Sequence, residues 1–250
     1  MADDLSTNTK ALVFDLMGTC CDWHTGIVNA MQQLPAPSGV SQDTYSDLAL
    51  AWRAGFFAEI HERFKAVLPQ EDIDTTHRRV LDSLLASHES LKDSWDDTAR
   101  ETLVKAWHTQ TPWPDVIPAL ERIRASKKYY LVVLANGTTA LQLSIVSSAN
   151  LPFHTLLSSQ LLNLTKPNPE IYRRAAELMG VSVEECVMVA SHAYDVRAAR
   201  GVGMRSVYVR RWTEDVGEDF GAVEDDVDLF LEGREGAGRG FEDLVDWLGA

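Results

Sequence analysis

The sequence predicts an α/β fold: a doubly wound parallel sheet carrying an inserted α-helical cap. Two observations predict it. Short apolar runs of strand character alternate with helical patterns over the second half of the chain, the order of a parallel sheet wrapped by helices. A similar run stands near the start. Between it and the others, residues 23–110 show helical periodicity and no strand pattern.

The first strand is "KALVFD" (10–15). The helical stretch follows. "YSDLALAWRAGFFAEIHERFKAVL" repeats apolar residues at Leu48, Trp52, Phe56, Ile60 and Phe64, along one helix face. "THRRVLDSLLASH" and "DDTARETLVKAWH" are further amphipathic helices. The stretch is too long for a loop. The expected organisation is therefore core for 1–22, helical cap for 23–110 and core again for 111–250.

In the second core segment "YYLVVLAN" (129–136), "CVMVAS" (186–191) and "RSVYVRR" (205–211) read as buried strands. "PDVIPALERIRA" sets Val116, Ile117, Leu120 and Ile123 at helical spacing. "TTALQLSIVSSAN" sets Leu141, Ile145 and Ala149 likewise, with Thr138 or Thr139 as N-cap. "NPEIYRRAAELMG" has an early proline and a closing Gly180, the asymmetry of a helix. Residues 214–228 hold eight acidic and no basic residues, and "EGREGAGRG" follows. This region reads as solvated loops around the short strand "VDLFL", with no functional role expected.

The formal net charge of −14 over 250 residues repels phosphate backbones, so nucleic acid is not an expected partner. No apolar run approaches the ~20 residues of a membrane span. The opening "MADDLSTNTK" suits neither a signal peptide nor a presequence, and a cytoplasmic location is expected. The three cysteines, Cys20, Cys21 and Cys186, form no C-x-x-C, so neither a disulfide framework nor a zinc site is suggested.

Polar residues at strand ends carry the candidate chemistry, because the carboxyl ends of a doubly wound sheet converge on one crevice. Asp15 is either a turn carboxylate or a nucleophile. Gly18 allows a tight turn, and Thr19 offers a hydroxyl and an N–H to the same carboxylate. Lys166, in "LTKPNPEIY", is a loop lysine or a fixed ammonium that holds Asp15 ionised; Tyr172 lies one helical step on. Asn136, in "LANGTT", is an ordinary turn residue or part of an anion site at a helix N-terminus. "VASHAYDVRAARGVGM" supplies Ser191, His192 and Asp195, the last either an N-cap or a site carboxylate. Arg53, beside Trp52, is a solvated arginine or an anion ligand.

Together these residues resemble the haloacid dehalogenase superfamily. "FDLMGT", "LANGTT", "TKPNPEIY" and "VASHAYD" match its four motifs in order, and the helical insert lies where that superfamily places a small cap. Within it the chain is most similar to the type II enzymes, which hydrolyse L-2-haloacids or haloacetate. The shared features are "FD-x-x-GT" without a second aspartate, then Asp22-Trp23, Trp52-Arg53, Lys166-Pro167, Pro169 and Tyr172. Met17 stands where phosphotransferring relatives carry that second aspartate. Expelling an alkoxide needs an acid there, whereas a halide leaves unprotonated.

The resemblance implies a hydrolase of small 2-haloacids that uses water, no cofactor and no metal. Asp15 attacks C2, displaces the halide with inversion and forms an aspartyl ester. Arg53 and Asn136, with Trp113 or Phe56, hold the halide. Thr19, Lys166 and backbone amides near Asn136, such as Gly137, hold the substrate carboxylate and Asp15. Water then attacks the Asp15 carboxyl carbon, positioned by Asp195, Lys166 and His192, with Ser191 and Tyr172 lining the site. A homodimer is a further expectation from the resemblance. Three departures mark this chain: Ala135 replaces the usual serine or threonine before Asn136, His192 the asparagine of several studied relatives, and Met17 an aromatic. Three other readings stand beside dehalogenation. They are another carbon-centred hydrolysis such as ring opening, a magnesium-dependent phosphatase, and a non-catalytic binding protein on the same fold.

Overall fold

The structure is a computed structural model that describes residues 8–35, 40–66, 68, 71–233 and 238–250. The chain forms two compact units: residues 1–22 with 112–250, and residues 23–111.

The first unit is built on six strands: β1 (Ala11–Phe14), β2 (Tyr130–Ala135), β3 (Thr155–Ser158), β4 (Cys186–Ala190), β5 (Arg205–Arg210) and β6 (Leu229–Glu232). Their order across the sheet is β3-β2-β1-β4-β5-β6, and every pairing is parallel. Leu12 pairs with Leu131 on one side and Val187 on the other, so β1 is central. Its four residues and all five of β4 are fully buried. Burial on both faces is why these strands read as unbroken apolar runs and not as alternating ones. Helix Pro169–Met179 packs Ile171, Tyr172, Ala175 and Ala176 into the core that Val13, Val132 and Met188 also fill. Asn168 caps its start and Gly180, at φ 69°, its end. Thr138 is the N-cap of helix Thr139–Ser148.

Winding proceeds from β1 outward through β2 to β3, then jumps back across β1 to β4. The direction reverses between β1 and β4. That is the switch point at which loops diverge and leave a crevice at the carboxyl end of the sheet.

The second unit is helical: Trp23–Gln32, Gln42–Lys65, Ile73–Leu85, Glu89–Ser94 and Asp97–Ala106. Leu48, Trp52 and Phe56 are buried as the stripe requires, and Ile60 is exposed. The side chain of Phe64 lies outside the described residues. The core is aromatic: Trp52 Nε1 donates to His77 O at 2.9 Å, and the His77 ring stacks between Phe56 at 4.0 Å and Trp107 at 4.5 Å.

The structure adds elements that periodicity did not reveal. β3 is a short edge strand of four residues, Thr155 exposed and Leu156 half-buried, too polar to signal a sheet. The acidic segment expected as solvated loops contains helix Phe220–Asp226, and β6 lies where the short strand "VDLFL" is expected. It also begins with a buried carboxylate, Glu214. Residues 234–237 of the glycine-rich run lie outside the described residues. Among the described residues no helix is long and apolar enough to cross a membrane.

Candidate active site

Four parallel strands deliver their C-terminal residues to one edge: Asp15 after β1, Asn136 after β2, Ser191 and His192 after β4, and Arg211 to Glu214 after β5. Asp15 continues the ladder, its N–H donating to Val189 O at 3.0 Å. The chain then folds back tightly. Gly18 N donates to Cys21 O at 3.1 Å, and Cys20 Sγ donates to Asp15 O at 3.2 Å. Gly18 has φ +85°, which a side chain resists, and a Cβ there would come within 2.8 Å of both Glu214 carboxylate oxygens. Glycine is required twice over.

The Asp15 carboxylate is held at both oxygens. Lys166 Nζ donates to Oδ1 at 2.8 Å. Thr19 Oγ1 donates to Oδ2 at 2.8 Å, and His192 Nδ1 lies 3.2 Å from the same oxygen. Thr19 Oγ1 in turn accepts from Ser191 N at 2.9 Å, so the first and fourth motifs are tied by one hydroxyl. Lys166 Nζ also binds Asp195 Oδ2, and Tyr172 OH donates to Asp195 Oδ1 at 2.6 Å. Helix Ala193–Gly201 has His192 at its N-cap position, and Asp195 lies inside its first turn. The N-cap alternative for Asp195 is therefore corrected: its carboxylate faces Lys166 and Tyr172.

These contacts set the protonation states. Burial opposes ionisation of Asp15, yet Lys166 and His192 hold its carboxyl well below the usual carboxylate range. Burial also opposes the Lys166 ammonium, and Asp15 with Asp195 keeps it protonated above its ordinary range. Asp195 is pushed up by burial, with Lys166 pulling the other way. Burial lowers His192, but Asp15 and Glu214 together raise it to about 10. Burial pushes the Tyr172 phenol up, helped by the charge of Asp195, so it remains a donor.

Several expected residues sit differently from expectation. Asn136 spends its amide on Lys166: Oδ1 accepts from Lys166 N at 2.9 Å, and Nδ2 donates to Lys166 O at 3.1 Å. The side chain expected to hold an anion fixes the backbone of Lys166. Gly137 N donates to Ser159 Oγ at 2.9 Å and Thr139 N to Gln160 Oε1 at 3.0 Å, so these two amides are already satisfied within the loop. Ala135 is buried at the end of β2, its carbonyl accepting from Gln142 Nε2 at 2.7 Å. Trp113 supports the first motif, its indole N–H donating to Gly18 O at 2.8 Å. Met17 is half-buried beside this turn, and Ser191 is fully buried.

In the helical unit Arg53 is buried in an aromatic box. Its guanidinium carbon lies 4.3 Å from the Phe57 ring centre, 5.4 Å from that of Trp23 and 5.9 Å from that of Trp107. An arginine desolvated by ring faces is a strong ligand for a weakly hydrated anion. Phe56 packs on His77 in the same unit.

Sequence reasoning passed over Glu214. Its Oε2 lies 2.8 Å from His192 Nε2 and its Oε1 accepts from Thr213 Oγ1 at 2.8 Å. The usable signal was position: Glu214 follows a strand that ends on the same edge as Asp15. Its setting in an acidic run hid it.

A family model described as haloacid dehalogenase-like hydrolase matches residues 9–203. The chain is 27% identical over 218 residues to an (S)-2-haloacid dehalogenase of Pseudomonas putida, covering 82% of this chain and 86% of the relative. A crystal structure of an L-2-haloacid dehalogenase matches at TM-score 0.80 with 27% identity, over 96% of this chain and 99% of the other. That of a defluorinating L-2-haloacid dehalogenase matches at TM-score 0.78 with 27% identity, over 99% and 98%.

Proposed function

This chain belongs to the haloacid dehalogenase-like hydrolases, and we propose that within them it hydrolyses the carbon–halogen bond of small 2-haloacids, without a metal. The observation that carries this reading is the way Asp15 is equipped. It is an ionised, desolvated carboxylate between two cations, and position 17 holds methionine in place of an acid. A carboxylate can displace a halide from carbon directly. It cannot expel an alkoxide from phosphorus efficiently without a proton donor. The donor set also suits a divalent ion poorly. Lys166 already binds both Asp15 and Asp195, and the remaining oxygens of those carboxylates take Thr19, His192 and Tyr172. An ammonium supplies here the positive charge that a metal would supply elsewhere.

The reaction runs in two steps. An Asp15 oxygen forms a bond to C2 while the carbon–halogen electron pair leaves as halide, and C2 inverts. Lys166 and Thr19 hold the carboxylate in place, and Asn136 holds Lys166. Arg53, desolvated by aromatic rings, is the residue proposed to hold the halide. Water then adds to the carboxyl carbon of Asp15, and the C2–oxygen bond stays with the product, a 2-hydroxy acid. Asp195 and Lys166, locked by Tyr172, orient that water. Ring opening at a carbon bearing a carboxylate would use the same nucleophile, and the product assay separates the two.

Halide release from 2-chloropropionate and chloroacetate in excess EDTA is the test. The wild-type protein is expected to release halide undiminished, and Asp15→Asn to lose at least about 10⁴-fold of the rate while staying folded. Halide release that needs magnesium, or magnesium-stimulated phosphoester hydrolysis without halide release, would sink the reading.

A further inference from the structure

His192 lies between two carboxylates from distant parts of the chain. Nδ1 faces Asp15 Oδ2 at 3.2 Å and Nε2 faces Glu214 Oε2 at 2.8 Å. Glu214 is held on its other side as well. Thr213 Oγ1 binds its other oxygen, and the carboxylate fills the notch left by Gly18. Both residues are buried. A carboxylate faces each ring nitrogen, Glu214 within hydrogen-bond distance of Nε2 and Asp15 within ion-pair distance of Nδ1, and two facing carboxylates favour the imidazolium.

Only one of those carboxylates survives the first chemical step. The resting imidazolium also feels Lys166, which binds the other oxygen of Asp15, and Asp215, whose Oδ2 accepts from Ala193 N at 2.5 Å. The Tyr194 ring lies 5.6 Å from the His192 ring. When Asp15 becomes a neutral ester its attraction for the imidazolium vanishes, while the repulsion from Lys166 remains, because Asp195 still holds that ammonium.

We propose that the charge of Asp15 controls His192: the carboxylate keeps the ring protonated while Asp15 acts as nucleophile, and ester formation releases a proton and turns the ring into the base for the second step, with Glu214 as the positioning residue. This rests on the two-step reading above. Protons balance. Ester formation expels halide, and the imidazolium sheds one proton to solvent. The neutral ring takes a proton from water as its oxygen bonds to the Asp15 carboxyl carbon. The remaining water proton passes to the departing alkoxide, giving the hydroxy acid. Asp15 is again an anion beside an imidazolium. The net yield per cycle is one halide, one hydroxy acid and one proton.

Two measurements test it. Titration of ¹⁵N-histidine-labelled protein by NMR compares the wild type with Asp15→Asn, in which the nucleophile is neutral as in the ester. The His192 midpoint is expected to fall by about one pH unit or more in the variant; an unchanged midpoint overturns the proposal. Rapid quench with 2-chloropropionate then follows the mass of the ester on Asp15. His192→Gln is expected to form the adduct and hydrolyse it about 100-fold more slowly, so that it accumulates. Glu214→Gln is expected to move the pH limb of adduct hydrolysis to lower pH. Adduct hydrolysis at the wild-type rate in His192→Gln also overturns the proposal. Absence of any adduct in the wild type sinks the dehalogenase reading itself, while the titration, which uses no substrate, still reports whether Asp15 holds the His192 proton.

Discussion

Two buried ion clusters lie in the same α/β unit and are built to different ends. Arg211 and Asp115 form a closed pair. Nη1 and Nη2 of the guanidinium donate to the two carboxylate oxygens at 2.9 Å each, and neither side chain is exposed at all. Phe241 N donates to Asp115 Oδ2 at 2.8 Å, Arg211 Nε donates to Thr19 O at 3.3 Å, and the rings of Trp113 and Phe241 lie against the guanidinium. One charge cancels one charge. Around Lys166 a single ammonium serves two carboxylates, a histidine and a further carboxylate extend the chain of charges, and Asp15 keeps 9% of its side chain exposed. The first cluster is geometrically finished and acts as scaffold. The second retains excess negative charge on a nucleophile candidate that is not wholly enclosed, which is the electrostatic mark of a reactive group. The scaffold serves the site, since the Thr19 carbonyl it binds belongs to the residue whose hydroxyl holds Asp15.

The largest expected effect falls on the open cluster. Lys166→Met leaves Asp15 and Asp195 buried without their shared cation. The largest downward influence on the Asp15 carboxyl then disappears and burial raises it. Halide release at neutral pH is expected to drop by about 10³-fold, and its acid limb to move upward into the measurable range. A pH–rate profile checks both; an unmoved limb would show that Lys166 does not set the ionisation of Asp15.

The closed pair should fail differently. Asp115→Ala removes the buried carboxylate that neutralises the Arg211 guanidinium, at an expected cost of about 3–5 kcal/mol of stability. Denaturant unfolding measures it. At temperatures where the variant stays folded its pH–rate profile is expected to keep the wild-type shape, because no titrating group of the reaction has changed. A shifted profile would mean that the two clusters are electrically coupled and that the distinction between scaffold and site is false.

How much of this was legible in the sequence follows from the same physics. β1, β2, β4 and β5 could be read because strands buried on both faces must be apolar throughout. β3 could not, since an edge strand needs only a few apolar residues. Asp15, Lys166 and Asp195 could be nominated as strand-end and loop residues in ordered motifs, and they do meet. The task of Asn136 was hidden because a side-chain amide fits an anion and a peptide group equally well. Asp115, Arg211 and Glu214 were hidden for another reason. Each is a charged residue whose burial depends wholly on partners about 20 to 100 positions away, at 2.8–2.9 Å in the fold, and local pattern carries no trace of such pairing.

The smallest expected effect distinguishes the clusters by pH. In the open cluster the group that titrates above neutrality is His192. Its folded value, about 10, lies above the ordinary 6.5, so its stabilisation is fully present below about pH 6.5 and is lost as pH rises through about 10. Asp15 works in the opposite sense: held below its ordinary value of 3.8, it contributes above that value and loses the contribution as pH falls. The difference in unfolding free energy between wild type and His192→Asn should therefore be largest near pH 6 and shrink steadily toward pH 10. The difference between wild type and Asp115→Ala should stay flat over the same range. Denaturation midpoints at pH 6, 8 and 10 decide it. Parallel curves for all three proteins would mean that His192 is not held as a cation by Asp15 and Glu214, and would remove the electrostatic ground for treating it as a group whose proton the chemistry can move.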